Sequence, residues 1–346
     1  MRFDLKNLDR AYIIAEMSAN HAGSFARAKE IIHAAKEAGA DCIKIQTYTP
    51  DTLTIDCDNR YFQIGDGTWK GENLYQLYGK AYTPWDWQGQ LKEEAEKIGL
   101  DFLSTPFDKS AVDFLETLGI EFYKIASFEL VDIPLIEYVA SKGKPIIMST
   151  GMGSLEEIGE AVEAVRGQNN TQLCLLRCAS AYPAVSASMN LATMVDMGKR
   201  FGVPVGLSDH SLGSIGAVTA VAMGAKVIEK HFCISRDVEN PDASFSMEAG
   251  EFRQMVQDIR TAELAAGTVH YGPTKEEEGS LAFRRSIFVV RDIRRGERFT
   301  EENIRVIRPG YGLKPKYFKS VLGKQAACDL VYGTPLTANC IQEENA

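Results

Sequence analysis

One short pattern recurs along most of this 346-residue chain. A helix-like segment ends in glycine, and an apolar strand follows one to three residues later. It is seen in "AKEAGADCIKIQT", "AEKIGLDFLST", "LETLGIEFYKIAS", "VASKGKPIIMST", "GKRFGVPVGLSDH" and "AVAMGAKVIEKHF". Gly39, Gly99, Gly119, Gly143, Gly202 and Gly224 suit the left-handed residue that closes a helix, where a Cβ would clash. "AYIIAE" before the first repeat and "QLCLLRC" at 172–178 bring the strands to eight. Helical periodicity alternates with them, opening at "GSFARAKEIIHAAKEAG" with Ser24 as N-cap. Eight β/α units in about 260 residues predict an α/β fold, a (β/α)8 TIM barrel over residues 1–266. A doubly wound open sheet is the alternative, but no G-x-G-x-x-G follows the first strand.

Such a barrel builds its active site at the strand ends. Polar residues collect at all eight. Strand 1 ends in Glu16, with Asn20 and His21 beyond it, and strand 2 carries Lys44 and Gln46, two apart and so on one face. Strand 3 ends in Ser104 and Thr105, strand 4 carries Lys124, Ser127 and Glu129, and strand 5 ends in Ser149 and Thr150. Strand 6 leads to Arg177, Ser180 and Tyr182, strand 7 to Ser208, Asp209 and His210, and strand 8 to Glu229, Lys230 and His231. Burying a charge without a partner is costly, so ionisable residues on core strands need a reason to be there.

His210 and His231 end adjacent strands and could share a divalent metal through imidazole nitrogens. Two protein ligands leave several positions open for water and substrate, as Lewis-acid catalysis needs. His33, on the first helix, and His270, in a linker, read as hydrogen-bonded packing residues. Lys44 and Lys124 sit in buried strand context and require anionic partners. With Ser104, Thr105, Ser127, Ser149 and Ser208 around them, they form a socket for a small, multiply charged anion. The competing reading is an internal network of both lysines with Glu16, Glu129 and Glu229. Lys230 alternates with His231, so it points away from the site toward a carboxylate outside the barrel interior.

Composition removes other classes. A net charge of −9 argues against a general nucleic-acid binder. No run of about 18 apolar residues is present, so no membrane span is expected. "MRFDLKNLDR" lacks the apolar core of a signal peptide, and seven scattered cysteines suit reduced thiols in a cytoplasmic protein.

"IIAEMSANHAGS", "IKIQTYTPDTLTID", "FLSTPFD", "YKIASFE", "IMSTGM", "GLSDHS" and "VIEKHF", in this order, resemble the sialic acid synthase family, and most of all its pseudaminic acid synthase branch. The resemblance implies condensation of phosphoenolpyruvate with an N-acetylated amino sugar to a nine-carbon 2-keto sugar acid, with release of phosphate. It implies Mn2+ or Mg2+ on His210 and His231. It implies phosphoenolpyruvate on Lys44, Lys124, Ser127, Ser149 and Ser208, with Gln46, Thr105 and Glu129 in the substrate-binding set. Glu16 falls at the acid/base or water-orienting carboxylate, and Tyr182 and Asp242 at sugar-side contacts. Ser180 stands where sialic acid synthases carry Asn, which leaves that contact open. N-acetylneuraminate and legionaminic acid synthesis are alternatives within the family. Outside it, a metal-dependent pyruvate aldolase could use the same two histidines, and a glycan-binding module on an inactive barrel is the non-enzymatic alternative.

Two segments lie outside the repeat. Residues 48–83 form a long insertion with Tyr48, Tyr61, Phe62, Trp69, Tyr75, Tyr78 and Tyr82. Its aromatic content disfavours disorder, and it should lie over the barrel mouth, either against substrate or merely pinning itself down. After a polar linker at 267–283, residues 284–346 show short strands and Gly/Pro turns. They resemble the antifreeze-like (SAF) domain that ends this family. The resemblance implies a homodimer in which Arg308, in "IRPG", reaches from the SAF domain into the partner's barrel.

Overall fold

A computed structural model of the protein describes residue 5 and residues 7–343. Eight parallel strands carry the fold: β1 (Tyr12–Glu16), β2 (Cys42–Thr47), β3 (Asp101–Pro106), β4 (Tyr123–Ile125), β5 (Ile146–Ser149), β6 (Leu173–Cys178), β7 (Val205–Asp209) and β8 (Val227–Cys233). They are hydrogen-bonded in the order β3-β2-β1-β8-β7-β6-β5-β4, and β3 and β4 lie against each other at the seam, so the sheet curls into a nearly closed barrel. The helices are α1 (Phe25–Glu37), α2 (Pro50–Leu53), α3 (Leu74–Ala81), α4 (Trp85–Lys97), α5 (Lys109–Thr117), α6 (Ile133–Ala140), α7 (Leu155–Gly167), α8 (Ala192–Phe201), α9 (Ile215–Ala222) and α10 (Ala249–Ala266). Every strand is followed by at least one helix. Ser24 caps α1, its hydroxyl accepting from the Arg27 amide at 3.3 Å. All six repeat glycines have positive φ, from 65° to 100°.

Alternation along the strands sorts the side chains into two apolar clusters. Ile13, Ala15, Ile43, Ile45, Ile146 and Ile228 pack outward against the helices. Ile14, Cys42, Leu103, Ile147, Cys174, Leu176 and Val227 fill the lower interior. The same inward-facing tracks then turn polar one step further along: Ile14 gives way to Glu16, Cys42 to Lys44, Leu103 to Thr105, Ile147 to Ser149 and Val227 to Glu229. Hence the barrel has an apolar floor and a charged upper storey. Gly206 lines the wall where β7 and β8 approach; a Cβ there would lie 2.1 Å from the Val227 carbonyl oxygen. No side chain fits.

The chain divides into two compact units, Met1–Gly267 and Thr268–Ala346. The segment expected to link them groups with the second unit, where Lys275–Phe283 winds as 3-10 turns. After the two-residue strand β9 (Met247–Glu248), which pairs with β8, the second unit adds β10 (Ser286–Val289) and β11 (Ile304–Ile307). These two run antiparallel, and Ile287, Val289, Ile293, Phe299, Ile304 and Leu336 pack between its turns. Its helix α11 (Phe318–Val321) is a single turn. No helix among the described residues is long and apolar enough to cross a membrane.

Candidate active site

The upper interior is organised around Glu229. Its carboxylate lies 3.6 Å from Lys44 Nζ through one oxygen and 3.6 Å from Lys124 Nζ through the other. Ser208 Oγ donates to it at 3.0 Å. Lys44 also meets Glu16 at 2.8 Å and Thr105 Oγ1 at 3.3 Å, while Lys124 donates to Ser149 Oγ at 2.7 Å. Gln46 Nε2 donates to Glu16 Oε1 at 2.9 Å. All four charged groups are almost fully buried.

Burial sets the titration of this cluster, and neighbours then decide its sign. Burial opposes ionisation of Glu229, but Lys124 and Lys44 outweigh it and hold the carboxyl below its ordinary value. Glu16 is pushed the other way, by burial first and by the Glu229 charge as well. Burial pulls Lys124 down, while for Lys44 the two carboxylates overcome burial and raise it. Glu129, on the turn after β4, has one carboxylate oxygen without a hydrogen-bond partner, and burial raises it to about 7.

A second group of side chains stands beside this cluster. The His210 and His231 rings are 5.3 Å apart, centroid to centroid. His210 Nδ1 lies 3.2 Å from the Ala179 carbonyl oxygen, which can only accept, so Nδ1 carries a proton and Nε2 is the nitrogen that the neutral ring would offer. His231 Nδ1 is buried without a hydrogen-bond partner, and its nearest carboxylate, Asp242, is 3.9 Å away. Burial, then the charge of His210, drives the His231 pKa well below its ordinary value. Two neutral-capable imidazoles with free nitrogens fit a divalent ion with open coordination positions. No group of three His, Cys, Asp or Glu side chains suited to a metal occurs among the described residues. Tyr182 covers His210 at 4.2 Å between centroids and packs on Phe245 at 5.0 Å.

A hairpin of the insertion meets the histidine side of the site. Residues 64–72 form this small hairpin, the Ile64 amide donating to the Glu72 carbonyl and the Ile64 carbonyl accepting from the Gly71 amide, and its tip lays Trp69 5.3 Å from Tyr182. Trp69 Nε1 donates to the Pro241 carbonyl at 2.8 Å, and Thr68 Oγ1 donates to the Tyr182 carbonyl. The remaining expected rings stay away from the histidines: Tyr48 packs on Tyr78 and Phe107.

Most of the predicted site residues thus come together, with three adjustments. Ser104 does not face the socket; its hydroxyl bonds Thr47 Oγ1 at 2.6 Å on the helix side, because it alternates with Thr105. The competing Lys–Glu network is present: Glu229 and Glu16 hold the lysines in place, while Glu129 makes no ion pair with either among the described residues. Glu229, expected as a strand-end residue and a member of that network but given no substrate or metal role, sits at the centre of the cluster; its inward parity with His231, two residues on, was the available signal. Ser127 and Ser180 close against Gly151, whose hypothetical Cβ would lie 2.7 and 2.0 Å from their hydroxyls, while the Gly151 amide donates to Ser127 at 3.0 Å. Asp242 accepts from the Ala19 amide at 3.2 Å beneath His231. Arg308 is an exposed residue of the second unit.

Fold and site together define a (β/α)8-barrel enzyme with a charged interior storey, followed by a separate small module. The chain belongs to the NeuB family, whose model matches residues 31–271, and the SAF domain model matches residues 284–342. It is 45% identical to the pseudaminic acid synthase of Helicobacter pylori, covering 95% of this chain and 97% of that protein. It is 36% identical to the N,N'-diacetyllegionaminic acid synthase of Legionella pneumophila, over 94% of this chain and 93% of that one. Among solved structures, the N-acetylneuraminic acid synthetase of Leptospira borgpetersenii superposes with a TM-score of 0.71 at 29% identity, covering 81% of this chain and 95% of that one.

Glu129 supplies a pH prediction. Its folded pKa near 7 exceeds the ordinary value of 4.5, so its protonated form is favoured by folding. That stability is fully present below about pH 4.5 and is lost as pH rises through 7. Glu129→Gln should therefore melt at the same temperature as wild type at pH 4.5 and be more stable at pH 8, by roughly 1–3 kcal/mol. Parallel melts with no pH-dependent difference would contradict the assignment.

Proposed function

We propose that this chain condenses phosphoenolpyruvate with 2,4-diacetamido-2,4,6-trideoxy-L-altrose, releasing phosphate and forming a pseudaminic-type nine-carbon 2-keto sugar acid. The observation that carries the reading is the adjacency of two half-sites on one layer. β8 contributes Glu229 to the cationic cluster and His231 to the histidine pair. One half-site suits a phosphate- and carboxylate-bearing anion, the other an aldehyde. The 45% identity to a pseudaminic acid synthase, against 36% to a legionaminic acid synthase, supports the choice of sugar.

In this mechanism Lys44 and Lys124 bind the anion, with Ser149, Ser208 and Thr105 donating from the same layer and Ser127 and Ser180 at its edge. His210 and His231 would hold Mn2+ or Mg2+, which supplies Lewis-acid polarisation of the sugar aldehyde. C3 of phosphoenolpyruvate attacks that carbon, water adds at C2, and the C–O bond to phosphate breaks. Glu16, a buried carboxyl with a raised pKa beside Gln46, orients the water and takes its proton. Tyr182 and Asp242 border the sugar side. Because the lysines are fixed by carboxylates before substrate arrives, little reorganisation is needed as charge moves toward the departing phosphate.

Phosphate release measures the function directly. Turnover should be fastest with the diacetamido altrose, slower with its 6-deoxymannose isomer and slowest with N-acetylmannosamine. A chelator should abolish it and Mn2+ restore it. Equal rates with N-acetylmannosamine would overturn the sugar, full activity in chelator the metal, and consumption of pyruvate in place of phosphoenolpyruvate the reaction class. Lys44→Ala and Lys124→Ala should raise the KM for phosphoenolpyruvate by roughly 10- to 150-fold each, the value of a charge-assisted hydrogen bond. A normal KM in folded variants would remove the socket.

The active form in this reading is a homodimer in which the second unit caps the partner's barrel. Large apolar side chains stand exposed on successive strand-end loops, among them Phe128, Met152, Val185 and Leu212, with Ile215 at the start of α9 beside them, and such a rim favours a protein partner. Arg308 would then complete the partner's site. Arg308→Ala and His231→Ala, each nearly inactive alone, should recover up to about a quarter of wild-type activity on subunit exchange, since one of two sites in each mixed dimer is intact. No recovery after verified exchange excludes the shared site.

A further inference from the structure

Outward-facing partners lie directly behind the two histidines. The β7–β8 register sets Ser208 opposite Glu229 and Asp209 opposite Lys230. Because the strands alternate, Ser208, His210, Glu229 and His231 face the interior, whereas Asp209 and Lys230 face the helix layer. Both are buried, each 1% exposed. Lys230 Nζ donates to Asp209 Oδ2 at 2.8 Å and to the Ser211 carbonyl at 2.6 Å. The other oxygen of Asp209 accepts from the Ser211 amide at 2.8 Å and its hydroxyl at 2.6 Å. A single ammonium on the residue before His231 thus grips the residues on both sides of His210.

Among the described residues, Lys230 Nζ hydrogen-bonds only to Asp209 and Ser211. A cavity of about 270 Å³ lies on the same outer side, lined by Lys230, Ser211, Arg236, Phe245 and Glu251. The guanidinium of Arg236 is already held by both oxygens of Glu251, at 2.7 and 2.9 Å. Gly216 of α9 closes the other flank, its hypothetical Cβ 3.3 Å from Asp209 Oδ2.

We propose that Asp209 and Lys230 are positioning residues that fix the spacing and orientation of His210 relative to His231, and through them the affinity for the divalent ion. This rests on the metal reading of the histidine pair. Both side chains face the helix layer and not the interior, so they act through the histidines. The β7–β8 ladder ends at Asp209; beyond it the Ala184 amide donates to the His210 carbonyl at 3.0 Å and so fixes the side toward β6, but not the side toward β8. His210 is the next residue, and the Lys230–Ser211 contact holds it where the ladder stops.

The test is a calorimetric titration of metal-stripped protein with MnCl2, beside a titration with phosphoenolpyruvate in the absence of metal. Lys230→Met removes the ammonium while keeping most of the side-chain volume. Should the unpaired Asp209 prevent folding, Asp209→Asn/Lys230→Met removes the buried charge and leaves an acceptor for Ser211. A folded variant should bind Mn2+ about 10- to 100-fold more weakly, the range for loss of a group that orients a metal ligand. Its phosphoenolpyruvate affinity should stay within about twofold, because the lysine–carboxylate cluster faces the other side. A purely structural role would lower the melting temperature and leave Mn2+ affinity unchanged, which overturns the proposal. Wild-type protein that binds no Mn2+ or Mg2+ would instead overturn the metal reading, and the proposal with it.

Discussion

The Glu229 carboxylate, shared between Lys44 and Lys124, is the interaction on which the interior depends. Two ammonium groups in a closed barrel would repel each other and lose their hydration, and neither is tolerable without compensation. One carboxylate between them, with Glu16 on the far side of Lys44, makes the layer self-consistent before any ligand enters. The arrangement is weak evidence for stability, since such clusters rarely outperform an apolar core. In the proposed function it is the structural cost of keeping cations ready for an anion. The strand–helix packing of Ile13, Ile43, Ile45 and Ile228, together with the apolar floor of Ile14, Leu103, Ile147 and Val227, carries the stability instead.

The barrel was legible because its repeat is local. Glycine closing each helix and an apolar strand after it are properties of a dozen adjacent residues, and backbone sterics impose them whatever the tertiary context. Parity was legible for the same reason: Lys44 with Gln46 and Glu229 with His231 each differ by two positions, and each pair shares the interior. Ser104 shows what happens when parity is ignored, since adjacent Ser104 and Thr105 cannot both face inward. Lys230 was correctly assigned to the outer face, and its partner is Asp209 of the neighbouring strand.

What the sequence hides is sharing across the barrel. Glu229 on β8 reaches lysines on β2 and β4, and no spacing along the chain encodes which of several carboxylates bridges both. Closure alone brings them together. The insertion is similar: its aromatic content marks a packed loop, but only the turn at Gly67 and Gly71 selects Trp69 to meet Tyr182 while Tyr48 and Tyr78 pack elsewhere. Both glycines have positive φ, 84° and 89°, which sets the hairpin tip.

That hairpin is joined to the barrel mouth through Thr68 and Trp69 at its tip, and none of its residues belongs to the two apolar clusters of the barrel. A change at the tip therefore leaves the strand-and-helix packing untouched, whereas a change to Lys44, Lys124 or Glu229 disturbs charges that must balance one another. The two kinds of position are free to diverge at different rates. Within one barrel architecture, and on the proposed function, the surface presented to the sugar could therefore be exchanged without rebuilding the cluster that receives the anion.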